Sequence, residues 1–127
     1  VKLLTRIEID FIHLSCWDCF KSSTDYPKDK RTLTEWFTQS IDDLPTVIST
    51  GGIWSTKDAE AVMSQGADLI GVGRVAIPYP EWAANLNIKD YSPQKMPFSS
   101  KDLSKADLSK VFIDYMKNWR GFVKDEK

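Results

Sequence analysis

Three short apolar runs punctuate the chain: "IEIDFIHLS" (residues 7–15), "TVIST" (46–50) and "ADLIGV" (67–72). Each is rich in β-branched or aromatic residues and too brief for a helix. Runs of this kind, without strict alternation, predict strands covered on both faces, as in a parallel sheet. Between them the period lengthens from two to 3.6. Leu33, Trp36, Phe37 and Ile41 recur at helical spacing, and so do Ala59, Val62 and Met63. Ser55 and Asp58 open the second of these helices with capping-box spacing, and Gly66 stands where it should stop. Trp82, Ala83 and Leu86 mark a brief third helix after Pro80. Strand and helix therefore alternate with short connections, which predicts βαβ units and an α/β fold.

Two stretches break the alternation. Residues 16–32 are polar, with Ser22, Ser23, Asp25, Pro27 and the charged run Lys28–Arg31, and read as a loop. Residues 87–101 carry Pro93, Pro97 and several serines, and read as an irregular excursion. Beyond them Leu108, Val111, Phe112, Tyr115, Met116 and Trp119 lie on one helical face, so a C-terminal amphipathic helix is expected to pack this stripe on the main body. The final residues, 124–127, are expected to fray. The organisation expected is thus βα units over residues 1–90 and a loop with a helical extension over 91–127.

Composition narrows the class. Of 127 residues, 42% are hydrophobic and 28% charged, the balance of a globular chain. Seventeen basic residues against eighteen acidic leave a net charge of -1, so neither nucleic acid nor an anionic membrane finds an electrostatic partner. No apolar run approaches the ~20 residues of a membrane span. The opening Val1–Arg6 runs into Glu8 and Asp10, which is not a secretory signal, and a cytoplasmic location is expected. The chain also opens without methionine, inside what reads as an element, and is expected to be a piece of a larger protein. Cys16 and Cys19 form a CxxC, but a zinc site would need two further ligands and the sole histidine is His13. Two reduced, partly buried thiols without chemistry, and no metal, are expected. His13, inside an apolar strand, reads as a satisfied core or barrel-lining residue rather than an acid or base. Trp17 suits the core or the mouth of a site equally.

The chemistry concentrates at two glycine turns. The strand at 46–50 ends in Gly51–Gly52, and the strand at 67–72 ends in Gly71–Val72–Gly73–Arg74. Glycine lets backbone N–H groups approach a ligand closely. The helix beginning near Ser55 adds an N-terminal dipole, and Arg74 adds a fork of donors suited to phosphate. Consecutive parallel βα units bring their strand ends to one edge of the sheet, where (β/α)₈ barrels commonly hold phosphate. A plainer reading stands beside this one: the glycines serve turns that need positive φ, and Arg74 is a surface ion-pair residue.

With "HLS" closing the first strand, "PTVISTGGI" (45–53) and "GADLIGVGRVAIPYPEW" (66–82) together resemble the C-terminal part of the old yellow enzyme family, the FMN-dependent NADH:flavin oxidoreductases and ene-reductases. The resemblance covers residues 3–90 and is strongest over 45–82. It implies a (β/α)₈ TIM barrel of which this chain supplies strands six to eight, followed by the C-terminal helix. It also implies an FMN whose phosphate is held by Gly51, Gly52, Gly73 and Arg74, with NAD(P)H as reductant and an activated alkene, quinone or similar acceptor. The family's substrate-anchoring and proton-donating residues come from earlier strands, so no catalytic residue is assigned here. Pro78–Trp82 departs from the usual Asp-Pro-Trp-like stretch of relatives, which touches the entry to the last helix and not the phosphate contacts. Two other readings remain: a barrel lyase or isomerase using the same cradle on a phosphorylated metabolite, and a non-catalytic half-barrel. Three parallel strands with open edges lead one to expect either self-association or pairing with the missing N-terminal part.

Overall fold

The residue pattern around 46–50 settles the centre of the sheet. In the computed structural model, which describes residues 8–124, Thr46–Thr50 forms β2, flanked by β1 (Phe11–Ser15) and β3 (Leu69–Gly71). All pairings are parallel and the order is β1-β2-β3. Phe11 pairs with Thr46 and Ser15 with Thr50, while Ile48 pairs with Leu69 and Thr50 with Gly71. Any strand character at Ile7 lies outside the described residues. Asp68 clamps the start of β3: its carboxylate accepts from Val47 N–H at 2.8 Å, and its own N–H donates to Val47 O at 2.9 Å.

Two helices cross between the strands. α1 (Leu33–Ser40) and α2 (Thr56–Ser64) each start with a capping box, Thr32 with Glu35 and Ser55 with Asp58. Gly66, at φ +95°, ends the second just beyond its C-cap Gln65. The sheet is unequal on its two faces. Leu14, Val47 and Ser49 are buried on the face the helices cover, whereas Phe11 (56% exposed) and Leu69 (53%) stand on the other. The expectation of strands buried on both faces is therefore met on one face only, because no described element covers the side carrying Phe11, His13, Ile48 and Leu69.

The helices also bury different residues from those expected. α1 presents Thr34, fully buried, to the sheet, while Leu33 is exposed and Trp36 and Phe37 are half-buried. The reason is a polar contact: Thr34 Oγ1 lies 2.8 Å from Ser49 Oγ, and each hydroxyl gives the other its partner in a dry setting. α2 buries Ala59 and Val62 as the pattern predicts, but Met63 faces outward. Thr34→Val should cost about 1–3 kcal/mol, since it strands the Ser49 hydroxyl. The double variant Thr34→Val with Ser49→Ala should recover most of that loss in a urea melt, because neither polar group is then left unpaired.

Contacts divide the chain into two compact units, one ending at Val72 and one beginning at Gly73. The second contains α3 (Trp82–Asn85), α4 (Ser100–Lys105) and α5 (Lys110–Met116), the last two N-capped by Ser99 and Ser109. Phe98, Leu103, Ile113, Met116 and Phe122 are buried in it, and the rings of Phe98 and Phe122 meet at 5.5 Å, tilted by 58°. Phe98 N–H donates to Phe122 O, and Lys124 N–H to Phe98 O, which ties the segment before α4 to the end of the chain. The stripe expected on the last helix is its buried face at Met116 alone. Ile113 and Met116 point inward, while Val111 (81%), Tyr115 and Trp119 are exposed. The helix stops at Met116, too short to carry a three-turn stripe, and its packing against α4 fixes the rotation. Of the expected frayed tail, only Lys124 falls within the described residues.

Candidate functional site

The first glycine turn begins where β2 ends. The segment after β1 folds back over it: Cys16 N–H donates to Thr50 O at 2.8 Å, and Cys19 donates to Gly51 O through its N–H (3.1 Å) and its thiol (2.8 Å). Gly51 sits at φ +146°, and a Cβ there would lie 2.5 Å from Cys16 O and 3.0 Å from Cys19 N. Its glycine identity is thus demanded by the neighbouring backbone. Gly52 is held in the left-handed region at φ +72°, and a Cβ there would make only ordinary contacts, the nearest with Asp18 Oδ1 at 3.8 Å.

The helix behind this turn carries its own anion. Asp58 Oδ2 accepts from Trp54 N–H at 3.0 Å and Ser55 N–H at 2.9 Å, while Ser55 Oγ accepts from Asp58 N–H. The start of α2, expected to aim its N–H groups and positive dipole end at a phosphate, thus also carries a carboxylate that accepts from the two N–H groups just before the helix.

The second turn opens the second unit. Ala76 N–H donates to Gly73 O at 3.0 Å, and Arg74 is exposed. Gly73 has no positive φ, and a Cβ built on it meets nothing within 4 Å. No feature of the chain itself requires glycine there. Gly51 and Gly52 therefore form one turn in the first unit, and Gly73 and Arg74 form another in the second.

The cysteines are both free; Cys19 is buried and Cys16 half-buried. Burial, and then the neighbouring Cys16, push the Cys19 thiol up to about 11, and burial raises Cys16 as well. Among the described residues no three His, Cys, Asp or Glu side chains gather to hold a metal ion. Cys19 should alkylate with iodoacetamide at pH 8 at least tenfold more slowly than free cysteine, and Cys16 more slowly as well, because the thiolate is the nucleophile. Since both groups hold their protons more tightly when folded, their contribution to stability is complete below pH 9 and lost as pH climbs toward 11.

Two features escaped the sequence pattern. His13 is exposed rather than core, and its Nε2 lies 2.7 Å from Thr50 Oγ1 on the open face of the sheet. A Cβ on Gly71 would collide with that same Thr50 hydroxyl. The loop at 16–32 is not simply solvated: with the start of α1 it lines a cavity of about 570 Å³. Trp17, Tyr26 and Trp36 were the visible signal for it, although Trp17, 80% exposed, is no core residue.

Parallel βα units with glycine turns after β2 and β3 place the chain in the α/β class. Comparison with known proteins is more particular. The chain is 34% identical over 89 residues to the NADH:fumarate oxidoreductase of Klebsiella pneumoniae, a match covering 67% of the chain and 9% of that protein. It is likewise 34% identical over 86 residues to the NADH:acrylate oxidoreductase of Vibrio harveyi (65% of the chain, 8% of the relative). A third relative, the "Probable NADH-dependent flavin oxidoreductase YqiG" of Bacillus subtilis, is 24% identical over 123 residues, which cover 97% of the chain and 33% of that protein. No protein-family model matches the chain. The chain spans no more than a third of the length of these relatives, all of which are NADH-dependent oxidoreductases by name.

Proposed function

We propose that the chain is the C-terminal part of an FMN-dependent oxidoreductase of the old yellow enzyme type, built on a (β/α)₈ barrel and supplying the turns that hold the flavin phosphate. The observation that carries this reading is Gly73. Neither its backbone conformation nor its surroundings call for glycine, yet glycine precedes an exposed arginine two residues after β3. A backbone that must admit a bulky anion explains the pair. The open face of the sheet fits the same picture, since Phe11, Ile48 and Leu69 would look into the lumen of a barrel completed by the rest of the protein. The relatives' names point to NADH and, in one case, a flavin.

In this reading Gly52 and Gly73 admit the phosphate to backbone N–H groups. Gly51 shapes the first turn, and Arg74 supplies a charge-assisted contact. When bound, the flavin carries a hydride equivalent between NADH and an acceptor such as an activated alkene or quinone. The chain's own contribution is positional, fixing the phosphate end of the cofactor so that its reactive ring has one orientation. No residue here is assigned a proton.

A titration with FMN, followed by the visible spectrum of the flavin, tests the reading. Saturable binding should weaken about 10- to 100-fold in Arg74→Ala, the usual loss for a charge-assisted hydrogen bond. If the chain leaves FMN unbound both alone and joined to the segment that precedes it in the longer protein, the flavin reading is wrong.

A further inference from the structure

Gly71 stands in the sequence as part of the second glycine turn, but in the structure it serves the sheet. It has no positive φ, and a Cβ built on it would collide with Thr50 Oγ1 and stand 3.4 Å from His13 Nε2. The side chain of the neighbouring strand therefore demands glycine there. Thr50 in turn holds the imidazole, with Nε2 and Oγ1 at 2.7 Å. Three strands cooperate on one ring: β1 supplies it, β2 hydrogen-bonds it and β3 clears room for it.

The height of the ring matters as much as its hold. By Cα pairing His13 stands level with Ile48 and Leu69. Its Nε2 nevertheless reaches Thr50, two residues further along β2 and the last before Gly51. The open face thus runs from apolar Phe11, Ile48 and Leu69 to a polar pair at the edge where the first glycine turn begins. Among the described strand residues of this face no other can titrate. In either tautomer the pair retains a donor: the Thr50 hydroxyl hydrogen when the ring donates, or Nδ1–H when it accepts. Among the described residues nothing takes that donor, so the fold itself makes no use of it.

We propose that His13 and Thr50 bind the flavin beyond its phosphate, donating a hydrogen bond to an oxygen of the ribityl chain that joins phosphate to ring. The turn read above as holding the phosphate starts at the residue after Thr50. The hydroxyls next to that phosphate are then the nearest partners for the donor. The inference rests on the FMN reading and adds to it a contact that phosphate alone would not make.

Calorimetric titration of the chain with FMN and with riboflavin, which has the ribityl chain and ring but no phosphate, tests it. His13→Ala should weaken both ligands by the same factor, about two- to tenfold, the worth of one hydrogen bond. Arg74→Ala should weaken FMN and leave riboflavin unchanged. His13→Gln should restore most of the loss, because its amide can bond Thr50 and still donate to the ligand. His13 is exposed, so both variants should melt with the parent in urea. Three results would overturn the proposal: unchanged affinities in His13→Ala, a loss confined to FMN, or a His13→Gln protein that binds as weakly as His13→Ala. If the parent binds neither ligand, alone or joined to the segment that precedes it, the flavin reading falls and this one with it. Flavin binding that ignores His13 overturns this inference alone.

Discussion

Gly51→Ala should unfold this chain or come close to it. At φ +146° an L side chain is strained by roughly 1–3 kcal/mol. The added methyl would also lie 2.5 Å from Cys16 O, a backbone atom held by the Cys16–Thr50 and Cys19–Gly51 hydrogen bonds. Relieving that overlap means lifting the segment after β1 off the turn, which adds about 1–3 kcal/mol of overpacking. The sum, about 2–6 kcal/mol, is a large share of the roughly 5–15 kcal/mol that a domain of this kind has. Far-UV circular dichroism with a urea melt reads the outcome. A melt within 1 kcal/mol of the parent would show that the turn adapts and that its glycine is dispensable to the fold.

Gly73→Ala should do the reverse. A Cβ there meets no atom within 4 Å and faces no positive φ, so stability should hold or rise by a few tenths of a kcal/mol as the unfolded chain loses freedom. FMN affinity should nevertheless fall by about tenfold or more, because one methyl placed against a phosphate blocks the close approach that glycine allows. The two glycines thus separate the needs of the chain from those of its ligand. Unchanged FMN binding in a folded Gly73→Ala protein would remove the observation on which the functional proposal rests.

The parts of the fold that local chemistry decides were legible in the sequence. β2 occupies the run 46–50, Ser55 with Asp58 makes the capping box that their spacing announces, and Gly66 takes the left-handed position after α2. What depends on partners distant in sequence was not. Thr34 is buried because Ser49 offers it a hydroxyl, and no periodicity within α1 reveals that pairing. α4 escaped notice because Leu103 is the one residue it buries, and a single apolar position sets no period. At the candidate site the residue types were visible but their division of labour was not. Asp58 was readable as a cap, yet only the geometry shows its carboxylate accepting from Trp54 N–H as well as from Ser55 N–H. Gly51 and Gly73 look alike in sequence, and only their surroundings distinguish a steric need from an empty space.

The single histidine of the sequence sits on the uncovered side of the sheet, with its ring bound to the Thr50 hydroxyl beside Gly71. Its imidazole C–H signals in a proton NMR spectrum therefore come without overlap from any other histidine, and from a point where all three strands meet. Anything that covers that face, whether further strands of the same protein, a flavin ring or a second copy of the chain, must move those signals, while ligands confined to the β1–α1 cavity should leave them still. One unlabelled sample and a one-dimensional spectrum then suffice to follow which side of the sheet is being filled.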